Sequence, residues 1–259
     1  MVMSIEFKEL LSEVVKHLKE FTRSQVVNID LLLGQVDIIE WGGVKAVRKK
    51  FSSEVGILKW LPPSIFYKAS YPFVLTPYER FRRELQFFSH GGGRWYKVPK
   101  VYEVDEREIT LIREFVEGSR LTYDLEVSEF LGKALAEVHS KGYVLGDVKP
   151  SNFIIRDGIY IIDAEQALMS NNTELFGWDL ILTLLFVSYR YIVDPGGFKK
   201  FTRQFINNYL CGGGDISHVR SIFSIKNLSI ALLIPPHTLK TLVEVIAEVE
   251  NEFTSKNIT

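Results

Sequence analysis

Two spacings of apolar residues alternate along this chain. Over residues 4–21, Phe7, Leu10, Leu11, Val14, Val15, Leu18 and Phe21 recur every three or four positions between charges. That is the spacing of an amphipathic helix, with Ser4 as its cap. From residue 26 the apolar residues crowd into short runs, and residues 26–33, 36–41 and 44–51 read as three strands, the last two joined at Gly42-Gly43. Helical spacing returns over 78–88, where Phe81, Leu85 and Phe88 share a face. Residues 98–102 and 109–115 read as strands around a turn at 105–108. A helix over 128–140 carries Phe130, Leu131, Leu135 and Val138, and Gly142 ends it. After residue 165, helices are predicted at about 178–192, 197–210, 216–232 and 237–253, divided by glycine and proline clusters. Apart from the helices over 4–21 and 78–88, strands occupy the chain up to residue 115 and helices predominate after 128, an α+β arrangement.

One segment fits neither spacing. Residues 59–78 hold Trp60, Phe66, Tyr67, Tyr71 and Phe73 among four prolines, which rule out one continuous helix or a central strand. Interleaved with Lys59, Lys68 and Arg80, these rings could stack on bases or simply pin an insertion to its neighbours.

The totals narrow the function classes. Hydrophobic residues make up 46% and charged residues 24% of the 259, as in an ordinary globular protein able to bury a sizeable core. The apolar runs are short: 184–187, or 180–187 if Thr183 is allowed, and 230–234 all fall far short of the roughly 20 residues that span a bilayer. Residues 1–21 lack the apolar centre of a signal peptide. A lone Cys211 excludes an internal disulfide and a cysteine-rich zinc site. A cytoplasmic location is the expectation. The net charge of −1 is unevenly spread: residues 42–100 hold twelve basic and three acidic residues, a net +9. Such a stretch either binds a polyanion or is a solvated basic face.

The chemistry concentrates in residues 145–165. Asp147, Lys149 and Asn152 follow the spacing Asp-x-Lys-x-x-Asn, and Asp163 comes eleven residues after Asn152. Between them, the apolar runs 153–155 and 159–162 flank Arg156-Asp157-Gly158, a hairpin pattern that returns Asp163 towards Asn152. Hard oxygen ligands beside a carboxylate base and a lysine suit phosphoryl transfer from a Mg²⁺-nucleotide.

Asp147-Val-Lys-Pro-Ser-Asn152 resembles the second half of the protein-kinase catalytic loop, and Asp163 resembles the Asp of the Asp-Phe-Gly metal motif. The resemblance to the protein-kinase-like superfamily implies that Asp147 is the catalytic base and that Lys149 neutralises the transferred phosphate. It implies that Asn152 and Asp163 hold Mg²⁺. Ala46-Val47-Arg48-Lys49 is similar to the Val-Ala-Ile-Lys strand, which would bring Lys49 to the ATP phosphates with Glu84 of the 78–88 helix as its partner. Glu114-Phe115-Val116-Glu117-Gly118 is similar to the hinge, where the Glu114 carbonyl and the Val116 N–H would hold the adenine edge. Gly34 is the only glycine between the first two strands, so no Gly-x-Gly-x-x-Gly loop exists and a single flexible residue would let the backbone approach a phosphate. His139 is expected to be structural. The implied fold is two-lobed, with residues 1–25 as a helical extension, 26–117 as an N-lobe built on an antiparallel sheet and one key helix, and 118–259 as a mostly helical C-lobe.

Departures from ordinary protein kinases point to the atypical RIO and PRPK types, the latter being the KEOPS kinase. Leu145-Gly146-Asp147 replaces His-Arg-Asp, removing the arginine that reads an activation-loop phosphate and leaving Leu145 to fill an apolar pocket. Asp179 follows Asp163 by only sixteen residues, with no Ala-Pro-Glu motif between them. Arg80-x-x-x-Glu84 is shared with PRPK-type kinases. Asp163-Ala-Glu165 resembles the Asp-x-Glu of choline and aminoglycoside kinases, in which Glu165 would be either a second metal-facing acid or a surface acid. The expected activity is transfer of the γ-phosphate of ATP to a hydroxyl. A protein Ser/Thr leads as acceptor, with tRNA through the basic stretch, or a small molecule, as alternatives. A scaffolding pseudokinase is disfavoured by the retention of Lys49, Asp147, Asn152 and Asp163.

Overall fold

The computed structural model describes residues 35–52, 59, 60 and 63–256. The predicted helix over 4–21, the strand over 26–33, the extension at 1–25 and Gly34 lie outside these residues.

Strands β1 (Val36–Trp41) and β2 (Val44–Lys50) form a hairpin. Gly42 and Gly43 turn it with φ of +55° and +82°, values that favour glycine. A two-residue β3 (Tyr96–Lys97) precedes β4 (Val101–Asp105) and β5 (Thr110–Glu114). The antiparallel sheet runs β1-β2-β5-β4. Strand alternation puts Val47 and Lys49 on one face of β2, and both are buried.

Helix α1 (Pro77–His90) lies beneath this sheet. Its start follows from Thr76, whose hydroxyl accepts the Glu79 N–H, and from Pro77 in the first turn. The buried face holds Arg80, Phe81, Glu84, Phe87 and Phe88, while Leu85 is half-buried. Phe81 meets Phe51 edge-on at 5.6 Å between centroids.

The helical half follows a short β6 (Ser119–Arg120). It holds α2 (Leu125–Ser140), α3 (Thr173–Arg190) and α4 (Pro195–Cys211), with α5 (Ile216–Arg220), α6 (Leu228–Ala231) and α7 (Pro236–Lys256) after them. α2 and α4 approach so closely that a Cβ at Gly132 would come within 2.5 Å of the Phe205 carbonyl oxygen. α3 is apolar nearly all round and runs through the core, with Trp178, Leu180, Ile181 and Leu184 buried. It begins at Thr173, ahead of its apolar pattern, because Asn172 caps it by accepting the Glu174 N–H. The helix predicted over 216–232 is interrupted instead. Ser221 Oγ donates to the Thr173 carbonyl at 2.8 Å, and Asn227 Nδ2 donates to those of Glu174 and Ser221, both at 3.0 Å. Side chains that bond main-chain carbonyls in this way compete with helix propagation.

Between the halves run β7 (Tyr143–Val144), β8 (Phe153–Ile155), β9 (Ile159–Ile161) and β10 (Leu168–Met169). β7 pairs with β10, and β8 and β9 are the predicted hairpin. The fold is therefore α+β and two-lobed in the kinase manner: a four-stranded antiparallel sheet with one helix faces a helical region across a cleft. No helix among the described residues is long and apolar enough to cross a membrane.

The proline-rich segment is a structural brace. Trp60 stacks on Phe73 at 5.4 Å, Phe73 leans on Tyr71 at 4.9 Å, and Tyr71 stacks on Trp178 of α3 at 5.6 Å. The Tyr71 hydroxyl donates to the Gln166 carbonyl at 2.6 Å, and Ser70 Oγ donates to the Lys226 carbonyl. A ladder of rings thus ties residues after β2 to the helical half.

Candidate active site

The loop after β7 is held from below. Buried Asp179 of α3 accepts the N–H groups of Leu145 (2.6 Å) and Gly146 (2.8 Å), and His139 Nε2 lies 3.2 Å from the same carboxylate. Trp178 Nε1 donates to the Gly146 carbonyl at 2.9 Å. Gly146 has φ +73°, and a Cβ there would sit 2.2 Å from the Tyr71 ring. Only glycine serves at that point. Leu145 is buried as expected, and His139 is a buried hydrogen-bonding residue that also contacts the Tyr209 hydroxyl at 2.8 Å.

Asp147 follows directly. Its Oδ2 accepts from Lys149 Nζ at 2.6 Å and from Asn152 Nδ2 at 3.0 Å. Asn152 Nδ2 also reaches the Asp147 carbonyl at 2.8 Å, so the Asn152 amide oxygen remains for other ligands. The hairpin closes as its pattern predicts: Ile162 N–H donates to the Asn152 carbonyl at 2.9 Å, placing Asp163 beside the loop.

Asp163 meets Lys49 from the opposite lobe. Lys49 Nζ lies 2.7 Å from Glu84 Oε2, 3.0 Å from Asp163 Oδ1 and 3.5 Å from Glu165 Oε2. The expected Lys49–Glu84 pair is therefore present. Burial pushes the Glu84 carboxyl up to about 7, against the pull of Lys49. Burial also acts on Asp163, but Lys49, Lys59 and Lys149 together outweigh it and hold that group well below the usual carboxylate range.

Glu165 is neither a surface acid nor poised on open space. It is 1% exposed and surrounded by donors: Trp60 Nε1 at 2.6 Å, Lys59 Nζ at 3.0 Å and Arg80 Nη1 at 3.1 Å. Burial favours its neutral form, yet Lys49, Lys59 and Arg80 draw it down to about 2. Lys59 and Trp60 are site residues that the motif pattern did not reveal, and Arg80 entered it only as the first position of Arg80-x-x-x-Glu84, without a role. One signal was present: Arg80 stands four residues before Glu84, so both share one helix face.

The cleft itself encloses about 270 Å³, bounded by Val47, Lys49, Arg113, Val116, Asn152 and Asp163 among others. Phe115, Val116 and Glu117 of the predicted hinge line it, with Val116 buried, while half-buried Glu114 borders a separate hollow. Gly118 lies where a Cβ would come within 2.4 Å of the Ile155 carbonyl oxygen, so the crossing chain presses on β8. A more open hollow of about 450 Å³ behind the hinge, beside Phe88 and Pro99, contains none of the catalytic-loop residues.

Among the described residues no cluster of three or more His, Cys, Asp or Glu side chains is arranged to hold a metal alone. Asp163 and the Asn152 amide are a donor set of two hard oxygens. That set suits Mg²⁺, which binds few protein groups and takes its other ligands from phosphate and water.

No family model matches the chain. Curated relatives do. Over 139 residues it is 31% identical to the KEOPS complex subunit Bud32 of Pyrococcus abyssi, covering 49% of this chain and 63% of that protein. Over 136 residues it is 27% identical to the "Probable serine/threonine-protein kinase BUD32 homolog" of Archaeoglobus fulgidus, covering 52% of this chain and 68% of that protein. A third match, 30% over 105 residues, is to the "Probable bifunctional tRNA threonylcarbamoyladenosine biosynthesis protein" of Methanosarcina acetivorans, of which it covers 19%. The chain thus spans just under two thirds of the Pyrococcus protein and about a fifth of the Methanosarcina one. Sheet, cleft and loop motif are those of a kinase-like fold, and in sequence the chain is similar to the Bud32 proteins, which supports an atypical, PRPK-like place among kinases.

Proposed function

We propose that the chain is an ATP-dependent phosphotransferase that moves the γ-phosphate of Mg²⁺-ATP to a hydroxyl, with a protein Ser/Thr as the leading acceptor. One observation carries the reading. Lys49, Glu84 and Asp163 converge within 3.0 Å across the cleft, at the end of the hairpin that starts from Asp147, Lys149 and Asn152.

In this reading Asp147 orients the acceptor hydroxyl and takes its proton, and Lys149 neutralises charge on the phosphate in flight. Asn152 and Asp163 hold Mg²⁺, which shields the phosphate charge when bound. Lys49, steadied by Glu84, binds the phosphates of the nucleotide. The Glu114 carbonyl and the Val116 N–H face the base. Gly34, outside the described residues, remains a candidate for backbone contact with phosphate. The names of the Archaeoglobus and Pyrococcus relatives support a kinase and a complex as its setting, and a cytoplasmic location belongs to the same proposal.

A second acceptor, tRNA, is favoured by a different observation. Six cations of the basic stretch are exposed, among them Arg82, Arg94 and Lys100, and the Methanosarcina relative is named for tRNA modification.

The test is incubation of the purified chain with γ-labelled ATP and separate pools of cell protein, tRNA and metabolites. Label in one pool with wild type, and its absence with Asp147→Ala, supports the reading and names the acceptor class. No transfer to any pool, with no Mg²⁺-dependent nucleotide binding, would sink it.

A further inference from the structure

Arg113 is buried at the back of the cleft, next to the residues proposed to face the base. It sits on β5 opposite Val47 and immediately before Glu114. Its side chain lines the cleft with Val47, Lys49 and Val116, yet the residue is only 6% exposed. Arginine is rarely buried this far without a carboxylate partner. Among the described residues none lies within salt-bridge distance of it. Its Nη1 donates to the main-chain oxygen of Glu114 at 3.3 Å, and its guanidinium carbon stands 6.0 Å from the centre of the Phe88 ring. Its Nε has no partner. Burial weakens its hold on its proton, while Glu84 and Asp163 support the charge through space. A buried donor without an acceptor is costly, so a ligand that supplies an acceptor here is strongly favoured.

We propose that Arg113 sets the base preference of the donor nucleotide towards purines with a carbonyl at position 6, so that GTP and ITP bind at least as well as ATP. This rests on the phosphotransferase reading and refines its donor. The 6-amino group of adenine is a donor and needs an acceptor at this end of the cleft. The acceptor there is the Glu114 carbonyl, which Arg113 already engages. A guanidinium offers only donors. A 6-oxo group instead accepts from Arg113, and the N1–H that a 6-oxopurine carries turns to the second lone pair of the Glu114 carbonyl rather than to the Val116 N–H, which would oppose it donor to donor. The carbonyl's second lone pair keeps ATP a usable ligand, so the effect is one of preference. Sites built around a buried hydrogen-bonding group discriminate most strongly against a ligand that leaves it unpaired.

The experiment measures dissociation constants of Mg²⁺-ATP, Mg²⁺-GTP and Mg²⁺-ITP for wild type, Arg113→Met and Arg113→Gln. ITP separates the 6-oxo group from the 2-amino group of guanine. The expected result is GTP and ITP binding as tightly as ATP or more tightly in wild type, with a swing of about tenfold or more towards ATP in both variants. Arg113→Gln retains an amide donor and polar bulk, and covers the case in which Arg113→Met does not fold. A wild type that binds ATP tenfold or more tightly than both others overturns the inference and leaves the phosphotransferase reading intact. So do variants whose nucleotide ratios stay within about threefold of wild type. If no nucleotide binds, both readings fall.

Discussion

Arg80 and Glu165 meet inside the protein, Nη1 to Oε2 at 3.1 Å, with neither side chain more than 1% exposed. Arg80 belongs to the helix under the sheet, and Glu165 ends the segment that carries Asp163. Arg80 also donates to the Phe51 carbonyl at 3.1 Å, just past β2. One guanidinium therefore ties the strand of Lys49 to the segment of Asp163. Lys59 and Trp60 complete the cage around Glu165 from the proline-rich brace.

Glu165→Ala should destabilise the fold by about 3–5 kcal/mol, because it strands a buried arginine and a buried indole N–H. The pH dependence follows from the carboxyl lying near 2 in the folded protein against an ordinary 4.5. A depressed value means that the unfolded chain binds the extra proton first. The contribution of Glu165 is thus fully present above about pH 4.5 and lost as pH falls towards 2. Urea unfolding of wild type and variant at pH 7 and pH 3 checks both points. A loss below about 1 kcal/mol at pH 7, the level of an exposed pair, would refute the structural role.

Glu84 carries the opposite sign. Its folded value of about 7 lies above the ordinary 4.5, so the folded state holds the extra proton between those values. Its contribution to stability is fully present below about pH 4.5 and declines as pH rises to 7. The shift is worth on the order of 3 kcal/mol. Glu84→Gln, which cannot ionise, should flatten the thermal midpoint between pH 5 and 7 relative to wild type. Parallel curves for the two proteins would show that Glu84 is ionised throughout, held by Lys49.

Much of this site was legible in the sequence, for a physical reason. The hairpin between Asn152 and Asp163 is local: two three-residue strands and a tight turn fix its register without help from elsewhere. Glu84 was legible because helical spacing puts it one turn after Phe81, on the face that must be buried. The cage around Glu165 was not, since Lys59 and Trp60 come from a segment with no period and reach it across 106 and 105 residues. Arg80 reads as surface charge until the acid that neutralises it is placed. The break within 216–232 has the same character, because the apolar spacing continues while Ser221 and Asn227 draw the backbone away.

Asp147→Ala should lower phosphoryl transfer by about 10²–10⁴-fold, the usual contribution of a positioned base. Nucleotide affinity should change by less than about threefold, because the base acts on the acceptor hydroxyl. Asp163→Asn should instead weaken nucleotide binding only when Mg²⁺ is present, since a neutral amide is a poorer ligand for a hard cation. Transfer rates and affinities measured with and without Mg²⁺ separate the two. An Asp147→Ala protein with near-normal turnover would mean that another acid is the base.

The basic stretch yields the last prediction, and the structure reduces its strength. Of the twelve cations in residues 42–100, Lys49, Lys59 and Arg80 face the buried carboxylates. Arg83 donates to the Gln166 carbonyl, Arg48 pairs with Asp37, and Lys97 pairs with Asp157. Lys45, Lys50, Lys68, Arg82, Arg94 and Lys100 remain exposed. If this face binds tRNA, affinity should fall with salt because neutralised phosphates release counterions. The slope of log affinity against log salt should be no steeper than about −4 for single-stranded contacts, since six cations neutralise at most six phosphates. Arg82 stands on the solvent side of its helix, and Arg94 stacks on Trp95 at 4.9 Å. Arg82→Glu with Arg94→Glu should weaken tRNA binding at least about tenfold at low salt and flatten the slope by about 1.4, two phosphates' worth. Nucleotide affinity should be unchanged, because neither residue lines the cleft. Filter binding over a salt series supplies the slope, and calorimetry supplies the nucleotide affinity. Absence of tRNA binding at low salt, or a slope unmoved by the double variant, would leave the six exposed cations as a solvated face and a protein hydroxyl as the leading acceptor.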